Sequence, residues 1–176
     1  KECALEGLRD RSGSAGLLER LRVRGREAER VMLRATGGAN THKGLIFSLG
    51  LLCAAAGMRY ETARPRDICE AAAGLAQGTL PDLDVPGENL THGEELYRRY
   101  QIRGVRGEAA QGFPSVRTIG LPALERAVSR GLSLNDAGVI ALLHLIAHVQ
   151  DTNFIVRCGL AKAEEIQKEL RTFLSG

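Results

Sequence analysis

The chain has 176 residues and a formal net charge of +3, with 24 Lys and Arg residues against 21 Asp and Glu residues. This excess is too small to indicate a nucleic-acid or membrane surface, and a composition that is 44% hydrophobic excludes an intrinsically disordered chain. The length is that of one domain with one hydrophobic core.

The four cysteines are widely spaced, with no CxxC pair: Cys3, Cys53, Cys69 and Cys158. The sequence therefore indicates neither a zinc site nor a disulfide scaffold, and we expect reduced thiols in a cytoplasmic protein. No apolar stretch is long enough to span a bilayer, and no signal-peptide pattern follows Lys1. Because the first residue is not Met, we expect the natural chain to begin upstream.

The spacing of apolar residues predicts an all-α fold. No segment alternates apolar and polar residues with period two, whereas Ala, Leu, Glu and Arg fall into helical spacing. We expect a single compact helical domain over residues 1–176, with about seven to nine helices between Pro and Gly boundaries.

In the first third of the chain, a short helix around residues 17–21 is expected to end near Gly25. A second helix over residues 26–35 is stopped by Gly37 and Gly38. The segment that follows is apolar at helical spacing, which predicts a buried central helix. Its apolar residues are Leu45, Ile46, Leu49, Leu52, Cys53 and Ala56.

Further boundaries follow from prolines and glycines. Pro65 suits the first turn of a helix that Gly78 would cap. Residues 79–90 have no usable periodicity, which predicts a long loop, either a lid or disordered. Thr91 and Glu94 have the spacing of a capping box at the start of the next helix.

The last third contains three predicted helices. Pro122 opens a short helix that Gly131 closes, and Ser133 is the expected N-cap of an amphipathic helix. Residues 161–174 form the final predicted helix, because their apolar side chains fall on one side.

A polar segment before the central helix predicts a phosphate site. Backbone N–H groups at a helix start and a positive side chain both attract anions. The alternative is a glycine C-cap followed by an Asn or Thr N-cap, and the spacing is not that of a Walker A loop. The candidate phosphate-binding residues are Gly37, Gly38, Asn40, Thr41 and Lys43.

A second polar cluster consists of Arg103, Arg106 and Glu108. Two guanidinium groups can hold phosphate oxygens, while a carboxylate can accept a proton or hold a metal. The alternative is a solvated ion pair near a turn.

A third cluster follows the amphipathic helix. If that helix continues, His144, His148 and Asp151 fall at i, i+4 and i+7 on one face and could bind a transition metal. The alternative is a core histidine whose ring is satisfied by a carbonyl. Asp151 and Asn153 are better suited to Mg²⁺, which prefers oxygen ligands.

Five motifs follow one another along the chain: ATGGANTHKGLIFSLGLL at 35–52, THGE at 91–94, GVRGEAAQGFPSV at 104–116, GLPAL at 120–124 and DTNFIVRCG at 151–159. Their order resembles the triphosphoribosyl-dephospho-coenzyme A synthase family, which serves citrate lyase and malonate decarboxylase. Ala39 and Cys158 are small departures from the family pattern. The family also has an N-terminal portion with a Lys-Pro-Gly motif that nothing here matches, so the resemblance implies the C-terminal part of a longer helical chain.

The resemblance implies transfer of the triphosphoribosyl group of ATP to the ribose 2′-hydroxyl of 3′-dephospho-coenzyme A, with release of adenine and Mg²⁺ as cofactor. The product would pass to an enzyme that loads an acyl carrier protein. Whether the pathway is that of citrate lyase or malonate decarboxylase, and whether the chain forms a homo-oligomer, are left open. No nucleic-acid or membrane partner is expected.

The resemblance also implies roles for the clusters. Glu108 is the expected base, Asp151 a Mg²⁺ ligand, and His42 the group that protonates or orients adenine. The residues expected to hold phosphates are Lys43, Arg103, Arg106 and Arg157. Two alternatives are a helical module that binds a nucleotide or carrier protein without catalysis, and a metal-dependent hydrolase built on His144, His148 and Asp151.

Overall fold

The computed structural model describes residues 1–62, 64–85 and 92–175, and within these ranges it contains ten α-helices and no strand. The prediction of an all-α fold is confirmed. Helices outnumber the expected seven to nine because short segments for which no helix was predicted, such as Glu2–Arg9 and Gly104–Ala110, are helical.

The helices, in chain order, are α1 (Glu2–Arg9), α2 (Ala15–Ala35), α3 (Lys43–Met58), α4 (Pro65–Gln77), α5 (His92–Tyr100), α6 (Gly104–Ala110), α7 (Leu121–Ser129), α8 (Leu134–His148), α9 (Thr152–Cys158) and α10 (Leu160–Ser175). A 3-10 helix at Pro81–Leu83 follows α4, and a π-helical turn at Val116–Gly120 runs directly into α7.

The chain divides into two compact units. Unit 1 contains Lys1–Val85 and Val105–Gly112, and unit 2 contains Pro86–Gly104 and Phe113–Gly176. The single domain over residues 1–176 stays a prediction.

In unit 1, α1 packs closely against the C-terminal half of α3. The contact depends on two glycines, because a Cβ atom on Gly7 would overlap the backbone of Ala54, and one on Gly57 would overlap the carbonyl of Ala4. Only hydrogen fits at these two positions. The core around this contact is made of Leu17, Leu21, Leu51, Ala54, Ala55, Met58, Ala72, Leu75 and Ala76, all of them buried.

Ion pairs join α1 to α2 beside that core. The buried carboxylate of Glu6 accepts a hydrogen bond from Nε of Arg20 at 2.9 Å, and Nη2 of Arg24 lies 3.5 Å from it. Asp10 accepts hydrogen bonds from the Ser14 hydroxyl at 2.5 Å and from Nη2 of Arg20 at 3.0 Å. These donors, the Ser14 hydroxyl first among them, hold the pKa of Asp10 well below its usual range.

In unit 2, α8 packs against α7, α10 and the π-helical turn. The carbonyls at the C-terminal end of α8 lack partners within the helix, and α10 supplies them. Nε2 of Gln167 donates to the carbonyls of Ile146 at 3.0 Å and Val149 at 2.7 Å, and Nη1 of Arg171 donates to Ala147 at 2.6 Å.

A second apolar cluster in unit 2 joins α5, α9 and α10. Its buried residues are Leu96, Ile102, Ile155 and Ala163, with Phe154, Cys158 and Leu160 packed against them. This cluster fixes the segment before α6 against α9.

Several predicted boundaries are confirmed. Pro65 lies in the first turn of α4, Gly78 is its C-cap, and the Ser133 hydroxyl accepts the Asp136 N–H at 3.2 Å as the N-cap of α8. The predicted capping box begins at Thr91, which lies outside the described residues. The loop predicted over residues 79–90 is described only to Val85, and its described part contains the 3-10 helix.

Two helix predictions in the first third need correction. The break near Gly25 is wrong, because α2 runs through Gly25 from Ala15 to Ala35. A glycine in a helix interior costs only about 1 kcal/mol, which the rest of a long helix can offset. The predicted burial of the central helix holds for its C-terminal half alone, since Leu45 and Leu49 are about half exposed.

Among the described residues, no single helix combines the length and apolarity that a membrane span requires, although α8 and α9 taken together, bent by 68°, meet that requirement.

Candidate functional site

The junction between α2 and α3 begins with a glycine C-cap. Gly37 and Gly38 have φ angles of +64° and +92°, and the Gly38 N–H donates to the Leu33 carbonyl at 2.7 Å. This bond from the second residue past the cap back into the helix is the Schellman pattern, which requires a left-handed residue at Gly37. The C-cap alternative is therefore confirmed for the two glycines.

A side-chain hydrogen bond at Asn40 precedes α3, whose N-cap residue is His42 and makes no capping bond with its side chain. The side-chain oxygen of Asn40 accepts the Lys43 N–H at 3.1 Å, and the His42 N–H lies 3.1 Å from the sulfur of Met32. The Thr41 hydroxyl lies 2.7 Å from Nδ1 of His42. The predicted Asn or Thr N-cap is wrong, because the N-cap of α3 is His42. Since Asn40 accepts the Lys43 N–H, the N–H groups of Gly44 and Leu45 are the first-turn donors that could face a ligand.

The Lys43 side chain is half exposed at the same helix start. Its ammonium lies 3.6 Å from a carboxylate oxygen of Glu29 on α2, with the two side chains 46% and 29% exposed. An anion at this helix end would compete with Glu29 for Lys43. Sequence reasoning missed Glu29, because its only signal is a tertiary contact between two helices.

The second predicted cluster is split by the fold. Arg106 and Glu108 lie on α6 in unit 1, where both are half-buried and both make polar or charged interactions. Residues two apart on a helix point to different sides, so their side chains leave α6 in different directions. The Gln77 side chain donates to the Ala110 carbonyl at 3.0 Å and holds the end of α6 to α4.

Arg103 belongs instead to unit 2, beside the start of α9. Ile102 is buried with Ile155, and a Cβ atom on Gly104 would lie 3.2 Å from the methyl group of Thr152. Gly104 has a φ of +53°, which allows this approach. The backbone at Arg103 therefore lies close to the N-terminal turn of α9, and the Arg103 side chain is exposed.

Asp151 is the N-cap of α9. Its Oδ1 accepts the N–H groups of Asn153 at 2.7 Å and Phe154 at 3.1 Å, while the side chain remains exposed. Asn153 and Arg157 are also exposed, and as an i, i+4 pair they share one face of α9. Unit 2 thus places the backbone beside Arg103 close to the end of α9 that carries Asp151 and Asn153, with Arg157 one turn further along that helix.

The predicted alignment of His144, His148 and Asp151 on one face is wrong. It assumed a continuous helix, but α8 ends at His148 and Val149 has extended backbone. Nδ1 of His148 donates to the His144 carbonyl at 2.9 Å, and the two rings stack with centroids 6.5 Å apart. Within the described residues, no group of three or more His, Cys, Asp or Glu side chains is placed to hold a metal ion.

The fold and the candidate site define an all-α protein that presents its polar, chemistry-bearing residues at helix ends. The sequence model of the CitG family, described as ATP:dephospho-CoA triphosphoribosyl transferase, matches residues 1–176. The chain belongs to this family.

Named relatives agree with this assignment. The chain is 40% identical over 166 residues to the 2-(5″-triphosphoribosyl)-3′-dephosphocoenzyme-A synthase of Pectobacterium atrosepticum, which covers 92% of the chain and 55% of the relative. The protein of that name from Klebsiella pneumoniae is 40% identical over 163 residues, 90% of the chain and 54% of the relative. The chain spans about half the length of the curated relatives it matches. No solved structure matches it.

Proposed function

We propose that the protein transfers the triphosphoribosyl group of ATP to the ribose 2′-hydroxyl of 3′-dephospho-coenzyme A and releases adenine. The observation that carries this proposal is the family match over residues 1–176, together with relatives named as synthases of that product. ATP and dephospho-coenzyme A are then the substrates.

The proposed reaction is a glycosyl transfer. The 2′-hydroxyl oxygen attacks the anomeric carbon of the ATP ribose, the bond from that carbon to adenine breaks, and adenine leaves with the bonding electrons. The hydroxyl proton passes to a base, adenine gains a proton, and the triphosphate stays on the transferred ribose. Such a reaction has an oxocarbenium-like transition state, which a carboxylate stabilises.

Within unit 1, two side chains suit the proton transfers. We assign Glu108 on α6 as the base for the hydroxyl, since it is a half-buried carboxylate. We assign His42 to adenine, because it is exposed at the start of α3 and an imidazole can donate a proton near neutral pH.

Phosphate binding falls to Lys43 and three arginines. Arg103, Arg106 and Arg157 supply forked donors for phosphate oxygens, whereas Lys43 supplies a compact charge beside the first-turn N–H groups of α3. The Lys43–Glu29 pair does not prevent this, because a half-exposed ion pair contributes only about 0–1 kcal/mol.

Mg²⁺ is the cofactor we propose, held by Asp151 and Asn153. The donor chemistry fits, because both offer exposed oxygens and Mg²⁺ usually takes one or two protein carboxylates and completes its shell with water and phosphate oxygens. One oxygen of Asp151 already caps α9, so the other is the one available. When bound, the ion would neutralise charge on phosphate oxygens.

We also propose where the reaction takes place and how its product is used. The protein would act in the cytoplasm and supply the prosthetic-group precursor of citrate lyase or malonate decarboxylase. The next enzyme would transfer that precursor to an acyl carrier protein.

The test is to incubate the chain with ATP, Mg²⁺ and dephospho-coenzyme A and to analyse the mixture by chromatography and mass spectrometry. Free adenine and the triphosphoribosyl adduct in equal amounts would support the proposal. Binding of ATP without adenine release would favour the second candidate, a non-catalytic nucleotide-binding module, which the coverage of only about half of each relative makes worth testing. Absence of both binding and products would contradict both.

A further inference from the structure

One face of α2 carries a row of arginines in the C-terminal half of the helix. Arg26, Arg30 and Arg34 are spaced i, i+4 and i+8, so their side chains line up along one side of the helix. All three are exposed, and their side chains make no hydrogen bond or ion pair within the part of the chain that the structure describes. We call these three residues the arginine row.

The N-terminal half of the same helix shows the contrast. Nε of Arg20 donates to the Glu6 carboxylate at 2.9 Å, and Nη1 of Arg24 donates to Glu27 at 3.2 Å. Arg22 lies 3.0 Å from a carboxylate oxygen of an aspartate that follows α4. Ion pairs account for these three arginines, whereas no ion pair among the described residues accounts for the arginine row.

The carboxylates nearest to the row in sequence already have other partners. Glu27 accepts the hydrogen bond from Arg24, and a carboxylate oxygen of Glu29 lies 3.6 Å from the Lys43 ammonium. Like charges at i and i+4 destabilise a helix, and the helix dipole favours a cation only in the last turn, where Arg34 lies. The described part of the chain therefore leaves the positive charge of the row uncompensated, and such a surface attracts anions.

The row lies beside the candidate phosphate site at the start of α3. Glu29 contacts Lys43 of α3, and the sulfur of Met32 lies 3.1 Å from the backbone nitrogen of the residue before Lys43. Arg26 precedes Glu29 by three residues and Met32 follows it by three, so Glu29 lies between them around the helix. The structure thus has two positive surfaces, the arginine row and the start of α3, on either side of one carboxylate.

We propose that the arginine row binds the diphosphate group of 3′-dephospho-coenzyme A. The transferase function proposed above, on which this assignment rests, brings together two nucleotides that each carry a phosphate chain. The start of α3 is the site for the ATP triphosphate, and Glu29 would repel a single phosphate chain that crossed to the other surface. Neighbouring arginines of the row have Cβ atoms about 6 Å apart, so two guanidinium groups can hold one diphosphate. Arg30 is the central residue and can act with either neighbour.

The experiment titrates dephospho-coenzyme A and, separately, Mg²⁺-ATP into this chain by calorimetry. Arg30→Gln should weaken the binding of dephospho-coenzyme A about tenfold, because it removes a charged donor from the diphosphate, and should leave the affinity for Mg²⁺-ATP nearly unchanged. Arg66→Gln on α4 is the matched control, since Arg66 is also exposed but pairs with Glu70 at 2.8 Å. It removes the same charge and should change neither affinity. Circular dichroism melting confirms that both variants fold.

A second measurement repeats the titration of dephospho-coenzyme A at rising salt concentration. The affinity of the parent chain should fall more steeply than that of Arg30→Gln, because the variant has one exposed charge contact fewer for salt to screen. Equal salt dependence of the two proteins would contradict a charge contact at Arg30.

Three results of the calorimetry would overturn the proposal. The first is equal affinity of the parent chain and Arg30→Gln for dephospho-coenzyme A, and the second is equal weakening by Arg66→Gln. The third is weaker binding of Mg²⁺-ATP alone in Arg30→Gln, which would assign the row to the triphosphate. In all three cases the parent chain still binds its substrates and the transferase function stands, whereas a parent chain that binds no dephospho-coenzyme A would contradict both proposals.

Discussion

The C-terminal half of α3 is buried against α1, whereas the N-terminal half is exposed and carries Lys43 at its tip. In the buried half, glycines set the distance between two backbones. In the exposed half, Gly44 has open space around it and Leu45 is half exposed. One continuous helix thus combines a region that holds unit 1 together with a region whose side chains are exposed. Substitutions in the first region should change stability, and those in the second should change binding.

The largest expected effect comes from Gly57→Ala in the buried half. The added methyl group would overlap the Ala4 carbonyl, and forcing α1 away from α3 should cost about 3 kcal/mol of unfolding free energy, measured by urea denaturation. Gly44→Ala is the matched control on the same helix, and it should stabilise by about 0.5–1 kcal/mol, since nothing lies near its Cβ position. Equal stabilities for the two variants would contradict the packing described for α1 and α3.

In the exposed half, Lys43→Ala should act on binding alone. Loss of a charged hydrogen bond to phosphate, worth about 1.5–3 kcal/mol, predicts at least tenfold weaker binding of Mg²⁺-ATP in calorimetry. The unfolding midpoint should not change, because the Lys43 side chain is half exposed. Unchanged ATP affinity would remove Lys43 from the site.

Asn40→Ala should lower the stability slightly. The Asn40 side chain accepts the Lys43 N–H, and losing this hydrogen bond costs about 1 kcal/mol in unfolding free energy. Asn40→Asp, which keeps an acceptor at this position, is the control and should retain the stability. If Asn40→Ala unfolds at the same urea concentration as the parent protein, the hydrogen bond from Lys43 to Asn40 does not stabilise the fold.

Glu29→Gln should have a small effect of opposite sign. It removes the carboxylate that lies 3.6 Å from the Lys43 ammonium, so Lys43 becomes fully available to phosphate. We expect about twofold tighter Mg²⁺-ATP binding, in keeping with the small free energy of exposed ion pairs. Weaker binding in this variant would show that Glu29 assists the ligand and does not compete with it.

The smallest expected effect is on the stability of unit 1 at acid pH, and it concerns Asp10, which directly follows α1. Asp10 has a lowered pKa in the folded protein, so it stabilises the fold above its unfolded pKa of about 4, and this contribution is lost as the pH falls through the folded pKa. Asp10→Asn should therefore reduce the slope of unfolding free energy against pH below about pH 4. An unchanged slope would assign the acid sensitivity to other carboxylates.

The sequence predicts the parts of this structure that local chemistry determines. Ser133 and Pro65 mark helix starts, and the glycine C-cap at Gly37 and Gly38 follows from residue type alone. Features that depend on the whole helix or on its neighbours were predicted less well. Gly25 was predicted to end a helix, but it does not break α2, because a long helix tolerates one glycine.

In the candidate site, too, local residue types could be interpreted from the sequence, whereas contacts between helices could not. The helical periodicity that aligned His144 with Asp151 could not show that α8 ends at His148, where side chains of α10 bind the last carbonyls. Nor could the apolar pattern of α3 show which of its faces would lack a partner, because exposure depends on packing between helices. The roles of Glu108, Asp151 and the arginines remain predictions.

The most direct test of the contrast within α3 is to follow backbone amide chemical shifts by NMR while Mg²⁺-ATP is added to the chain. Binding at the candidate phosphate site predicts that the amides of Gly44 and Leu45 shift with ATP concentration, while those of Ala54 and Gly57 stay fixed. If Gly44 and Leu45 do not respond while other amides do, the exposed end of α3 is not the triphosphate site.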